Sequence, residues 1–289
     1  MLTEGLSTNR MLVGGWLIAE DRDTPYDGST RTDNPLRERT NIRVWLLTAD
    51  LRLTTKAGVQ VSAALPDVTR SAVVTRSTGE TFEFSENFSG LGDISVIGWR
   101  RLPVRRGFSV TLNAGVSVPT GKTEAPRFRD GLSDGSLVPL SRLQRGSGTW
   151  DPLAGISVNR VFASLLPPGT RVFASAAARL PFAENEHGLR TGASWEAGIG
   201  GSRELRQSGF GHNAIAIIRL GWLHRNQDVF RGTPVLVGGG DWLNLAPGLA
   251  IGLGKFTVQA ELRVPLYRSL ANRQLDAPFA LQVGVVRSF

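Results

Sequence analysis

Three histidines, His187, His212 and His224, are the side chains of this chain best suited to act as a general base near neutral pH. His187 sits in a polar run, Asn185-Glu186-His187-Gly188. His212 follows a glycine-rich turn, and His224 follows Trp222 and Leu223 near a strand end. A hydrolase of the Ser–His type would set its nucleophile on a glycine-rich turn within reach of one of them, and the sequence has no such turn. Glu184, Glu186 and His187 form one loose metal-ligand group, but their run reads as a solvated loop. Cysteine is absent, which removes disulfides and thiolate metal sites. Gly121-Lys122-Thr123 looks like the end of a phosphate-binding loop. The earlier glycine that motif needs falls on Val116, and the segment runs from strand to loop rather than from strand to helix. The expectation is therefore no catalytic residue, no metal and no cofactor.

The remaining candidates are charges set one at a time among apolar residues. Parity along each strand places Asp50, Arg52, Asp93, Arg101, Arg171, Arg179, Arg190, Glu196, Arg219, Glu261 and Arg263 on the face opposite the bulky apolar set. Arginine predominates among them. Two uses fit: a lining whose field favours anions, or Arg–Glu and Arg–Asp networks that hold a wall together. Gly115, Gly198, Gly200, Gly248 and Gly252 share that face or mark bends, leaving space beside the charges. The net charge of +8 is almost all arginine, since Lys56, Lys122 and Lys255 are the only lysines. The arginines form no stripe or recognition helix, so no nucleic-acid partner is expected. Arginine near a membrane surface has another use, pairing with lipid phosphates.

The elements that must position these charges are strands. Phe108, Val110, Leu112, Ala114, Val116 and Val118 alternate with Ser109, Thr111, Asn113, Gly115 and Ser117. Similar alternation runs from Phe256 to Leu266, from Arg171 to Phe182 and from Leu47 to Leu53. About twelve such segments begin near Arg10, Ile42, Val59, Leu91, Gly107, Pro152, Thr170, Leu189, His212, Trp242, Lys255 and Phe279. Short links with tight-turn chemistry (Thr55-Lys56-Ala57-Gly58, Val104-Arg105-Arg106-Gly107, Leu166-Pro167-Pro168-Gly169, Gly252-Leu253-Gly254) alternate with long ones (Asp21 to Arg39, Thr69 to Gly90, Gly121 to Thr149). A sandwich has no reason to keep that rhythm. An outer-membrane barrel with both termini in the periplasm does.

No run of 18 apolar residues exists, so a transmembrane helix is excluded. At 289 residues a single all-β domain, 1–289, is expected: a closed antiparallel up-and-down transmembrane β-barrel. Trp45, Trp150, Trp195, Trp222 and Trp242 fall where girdle aromatics belong. The last strand sets Phe279, Leu281, Val283 and Val285 against Ala280, Gln282, Gly284 and Val286, and the chain stops on Phe289. Met1 to Ala19 makes a poor signal peptide, and the export signal is expected to be trimmed or to lie upstream of this start.

Three passages, Gly90-Leu91-Gly92-Asp93, Val116-Ser117-Val118-Pro119-Thr120-Gly121 and Gln144-Arg145-Gly146-Ser147-Gly148-Thr149-Trp150-Asp151-Pro152, carry a family resemblance, as does Leu47 to Pro66. In that order and spacing they resemble the Gram-negative outer-membrane proteins named for the meta-cleavage (MetA) pathway of phenol degradation. The motifs are Gly, Pro and Asp, and they specify turns more than chemistry. The resemblance implies an outer-membrane barrel and transport of small, often aromatic, compounds. The terminal Phe289 resembles the aromatic read by the barrel-assembly machinery. The expected partners are outer-membrane lipids, that machinery and a small aromatic or anionic solute, with the chain a monomer. Two alternatives stay open: a plugged structural or surface-interaction barrel, and a lipid-acting enzyme with a rim Ser–His pair.

Overall fold

The computed structural model describes residues 10–75, 79–103, 107–123, 127–128, 138–139, 144–162, 169–205, 214–235 and 238–289. His212, two of the four expected tight turns and most of the Gly121 to Thr149 link therefore lie outside the described residues.

Among the described residues, twelve long strands form a closed antiparallel wall and no helix occurs. They are β1 (Met11–Arg22), β2 (Arg39–Thr54), β3 (Ala57–Thr75), β4 (Ile94–Pro103), β5 (Phe108–Val118) and β6 (Asp151–Phe162). The second half comprises β7 (Thr170–Arg179), β8 (Ser194–Leu205), β9 (Ala214–Arg225), β10 (Gly240–Leu253), β11 (Phe256–Asp276) and β12 (Ala280–Ser288). Each pairs with its sequence neighbour, and β12 pairs with β1 from Leu12↔Ser288 to Glu20↔Ala280, which closes the ring. Closure matters because it leaves no unpaired edge for a lipid environment. The terminal residue joins in: the Phe289 amide donates to the Met11 carbonyl at 3.0 Å, beside a Ser288–Lys255 bond at 2.9 Å.

Alternation decides which way each side chain points. Leu47, Leu51 and Leu53 on β2 are exposed outside, as are Ile218, Leu220 and Trp222 on β9 and Leu281, Val283 and Val285 on β12. Their neighbours Ala280, Val286 and Glu261 are buried within. So broad an apolar surface on a closed sheet is a wall made for hydrocarbon. At the periplasmic end arginines lie over aromatic rings, Arg160 over Phe108 at 4.6 Å and Arg287 over Phe289 at 4.5 Å and Phe256 at 5.4 Å. A guanidinium over a ring face is attracted by it, so each pair fixes its ring at that end of the wall.

Trp45, Trp150, Trp195 and Trp222 face outward. Trp242 does not: its indole Nε1 donates to Asp276 Oδ2 at 3.1 Å inside the wall. Trp16 and Trp99 also turn inward, each over a glycine on the neighbouring strand. Trp16 stands opposite Gly284 and Trp99 opposite Gly58, and a Cβ on either glycine would fall within 2.0–2.5 Å of the ring. Phe173 treats Gly200 in the same way. These glycines do not leave space for solute. They let a ring lie against the wall, in the place a Cβ would take.

The eighth wall strand begins at Ser194, not near Leu189. Leu189–Arg190 instead belongs to a small extracellular sheet with Val229–Phe230 and Thr233–Pro234, whose own core is Leu189, Phe230 and Val235. A three-residue apolar cluster explains the misplacement: Leu189 is buried, but in a loop cap rather than in the barrel.

Candidate functional site

The extracellular end gathers the three short motifs into one cluster. Asp93, just before β4, accepts the Gly121 amide at 3.2 Å and both the Ser147 amide at 2.8 Å and its hydroxyl at 2.9 Å. Thr120 Oγ1 donates to the Gly92 carbonyl at 2.8 Å and accepts the Ile94 amide at 3.0 Å. The Gly92 amide reaches the Ala64 carbonyl at 2.7 Å, so the Ala64-Leu65-Pro66 run is part of the same cluster. Gly121 and Gly146 pack backbone on backbone, where a Cβ would sit 2.7–2.8 Å from the facing chain. Asp151, with a fully buried side chain, accepts Thr149 Oγ1 at 2.6 Å and Arg179 Nε at 2.9 Å. Arg179 also approaches Asp93 at 3.5 Å. These Gly, Pro and Asp turns thus tie residues 144–151 along the rim to β4, β5 and β7.

The cap continues around the rim. Asn185 Nδ2 donates to the Ser147 carbonyl at 3.1 Å, and Glu184 accepts the Gly232 amide at 2.9 Å. Asp228 accepts the Gly192 amide at 2.7 Å and pairs with Arg225 at 2.9 Å.

Deeper in the wall the charges pair along the sheet. Arg219 on β9 reaches Glu196 on β8 at 3.3 Å and Glu261 on β11 at 2.6 Å. Nearer the periplasm Asp50 accepts the Trp99 indole at 3.2 Å. Arg52 alternates with exposed Leu51 and Leu53, Arg101 stands opposite buried Thr111, and Arg171 opposite Ser202. Arg190 lies on the loop sheet, off the wall, because its strand ends in the cap rather than continuing into the barrel.

Arg263 lines two cavities. The upper, about 150 Å³, lies under the mouth between β1 and the β9–β12 wall, with Glu20, Arg22, Trp242, Asp276 and Phe279 among its walls. The lower, about 40 Å³, is shared with Glu196, Arg219 and Asn244. Glu20, Arg22, Arg225 and Asp276 were not among the candidates from the sequence. The parity of Trp16, Ile18, Glu20 and Arg22 could have placed the first two, and that of Trp242, Asn244 and Ala246 could have turned Trp242 inward.

On the outer wall His224 stands between Trp195 and Trp222, with ring centroids 5.4 and 5.8 Å away. Its Nδ1 meets Asp241 Oδ1 at 2.8 Å and its Nε2 meets Asn226 Oδ1 at 3.0 Å. Ser269 is the cross-strand partner of Asp241, on the far side from His224. A nucleophilic triad needs the histidine in the middle; here the carboxylate occupies that place. Glu184 and Glu186 are engaged by Gly232 and Thr123, and among the described residues no group of three or more acidic or histidine side chains is arranged for a metal.

No protein-family model matches the chain, and no curated protein does. Solved structures do. The COG4313 outer membrane channel from Pseudomonas putida F1 superposes with a TM-score of 0.70 at 16% identity, over 99% of this chain and 97% of that one. A Pseudomonas aeruginosa FadL homologue (TM-score 0.46, 7% identity, 98% and 91% covered) and the Ralstonia pickettii toluene transporter TbuX (0.43, 10%, 98% and 90%) align more loosely. Closed topology, apolar outer wall and the alternation of short turns with long loops make this chain a bacterial outer-membrane β-barrel with the fold of the COG4313 channel.

Proposed function

We propose that the barrel is a passive channel for small solutes, working without cofactor or energy coupling. The observation that carries this reading is the run of two cavities down one side of the bore, lined by charged residues whose ion pairs follow the wall instead of crossing it. The likeness to the phenol-degradation family adds aromatic compounds as cargo, and the arginines of the lining add anions. In this reading Phe289 is the assembly signal and the chain works as a monomer. On the same reading Arg179 serves as an anchor rather than a selectivity residue, its guanidinium being paired with Asp151 and Asp93.

Planar-bilayer recording of the refolded protein tests the proposal. Discrete current steps, with a reversal potential in a KCl gradient displaced toward chloride, are expected. A second reading, a barrel closed by its own loops, draws on the Asn185–Ser147 and Asp228–Gly192 bonds that tie the cap together. Silence in the bilayer from protein shown to be folded would favour it and sink the channel.

A further inference from the structure

Arg263 carries the one guanidinium around the upper cavity for which no hydrogen bond or ion pair is found among the described residues. The carboxylates there are each matched to another arginine: Glu20 to Arg22 at 2.7 Å, Asp228 to Arg225 at 2.9 Å and Asp276 to Arg268 at 3.1 Å. Arg263 is left facing the open space that it shares between the two cavities. We propose that Arg263 anchors a binding subsite, just below the extracellular mouth, for a small organic carboxylate with an apolar body of about one ring.

Three features define that ligand. A planar guanidinium with free donors matches a carboxylate in a two-pronged pair, and the partly desolvated wall strengthens it. The apolar side of the cavity is built from Leu223, Trp242, Leu275 and Phe279. The Trp242 ring is pinned by its bond to Asp276, which makes it a rigid platform that loses little entropy when a ligand stacks on it. The volume of about 150 Å³ is that of a cavity known to take up benzene in another protein. An inorganic anion would leave these apolar walls facing water, and a neutral ring would leave Arg263 unanswered. Polyanions meet the carboxylates of Glu20 and Asp228 at the same walls.

The inference rests on the channel reading and names its cargo class. Its test is calorimetric titration of the refolded full chain in detergent micelles with benzoate, acetate and benzyl alcohol. Saturable benzoate binding is expected, at least about tenfold tighter than benzyl alcohol, which lacks the charge, or acetate, which lacks the ring. Arg263→Gln should weaken benzoate by about tenfold and leave benzyl alcohol unchanged, with Arg263→Lys in between. Heat-modifiable gel migration establishes that each variant is folded. Absence of benzoate binding, equal binding of benzyl alcohol, or an unchanged benzoate affinity in folded Arg263→Gln would each overturn the subsite. The benzoate-to-benzyl alcohol ratio of the unaltered protein decides the matter if the variants do not fold. Current steps without benzoate binding would remove the subsite and spare the channel; binding without current steps would do the reverse.

Discussion

Asp151 shows what the turn-forming motifs are for. Its carboxylate has no exposed surface and takes bonds from Thr149 and Arg179. Replacing it with alanine strands a half-exposed guanidinium and a buried hydroxyl, an expected loss of about 1–3 kcal/mol in urea unfolding. The same variant should make residues 144–150 more open to added protease, because the Thr149–Asp151–Arg179 tie that fastens that stretch to β7 would be gone. A melt and a protease pattern like those of the unaltered protein would remove the anchoring role. Parity put Asp50, Glu196, Arg219 and Glu261 on one face from the residues alone, but partners are a different matter. Arg219 joins Glu196 and Glu261 because strand registers bring together positions 23 and 42 residues away, and no local pattern encodes those registers. The cavity around Arg263 was hidden for the same reason: its walls come from both ends of the chain.

Strands were legible because a half-lipid, half-water wall forces a period of two. The one segment that went astray, at Leu189, failed where a loop made its own small core and borrowed the same apolar signal. What the pattern could not tell was how the inward face is filled. Gly200 reads from the pattern as a gap beside the charges, and only its direct cross-strand pairing with Phe173 makes it a seat for a ring, as Gly58 is for Trp99 and Gly284 for Trp16. Gly284→Ala would drive a methyl into the Trp16 ring, at 2.0 Å from its nearest atom. Overpacking of this kind costs about 1–3 kcal/mol. Gly15→Ala on the outer face meets nothing nearer than Leu47 Cδ2 at 3.8 Å and should stay within about 0.5 kcal/mol. Unfolding midpoints that fail to separate the two would mean that Trp16 does not lie on Gly284.

A barrel whose inside is wet and whose outside is hydrocarbon makes adjacent residues answer to different solvents. Val283 and Gln282 on β12 are the sharpest pair. Val283 is exposed on the outer face near the middle of its strand, between Leu281 and Val285. Gln282 faces inward, and its cross-strand partner is Glu261. Arginine at position 283 would have to leave its charge in the bilayer or bend it toward an interface several residues away. That carries an expected penalty of about 2–4 kcal/mol in lipid vesicles, falling toward about 0–1 near either rim. Arginine at position 282 adds a cation beside a carboxylate that already holds Arg219, in a bore that water can enter, so its cost should fall well below that of Val283→Arg. In detergent, where the hydrocarbon is thin and deformable, the gap between the two variants should narrow. Reversible unfolding in both media measures each. Equal penalties at 282 and 283 in vesicles would mean that neither face meets lipid, and a water-soluble β-sheet would then fit the alternation better than a membrane wall.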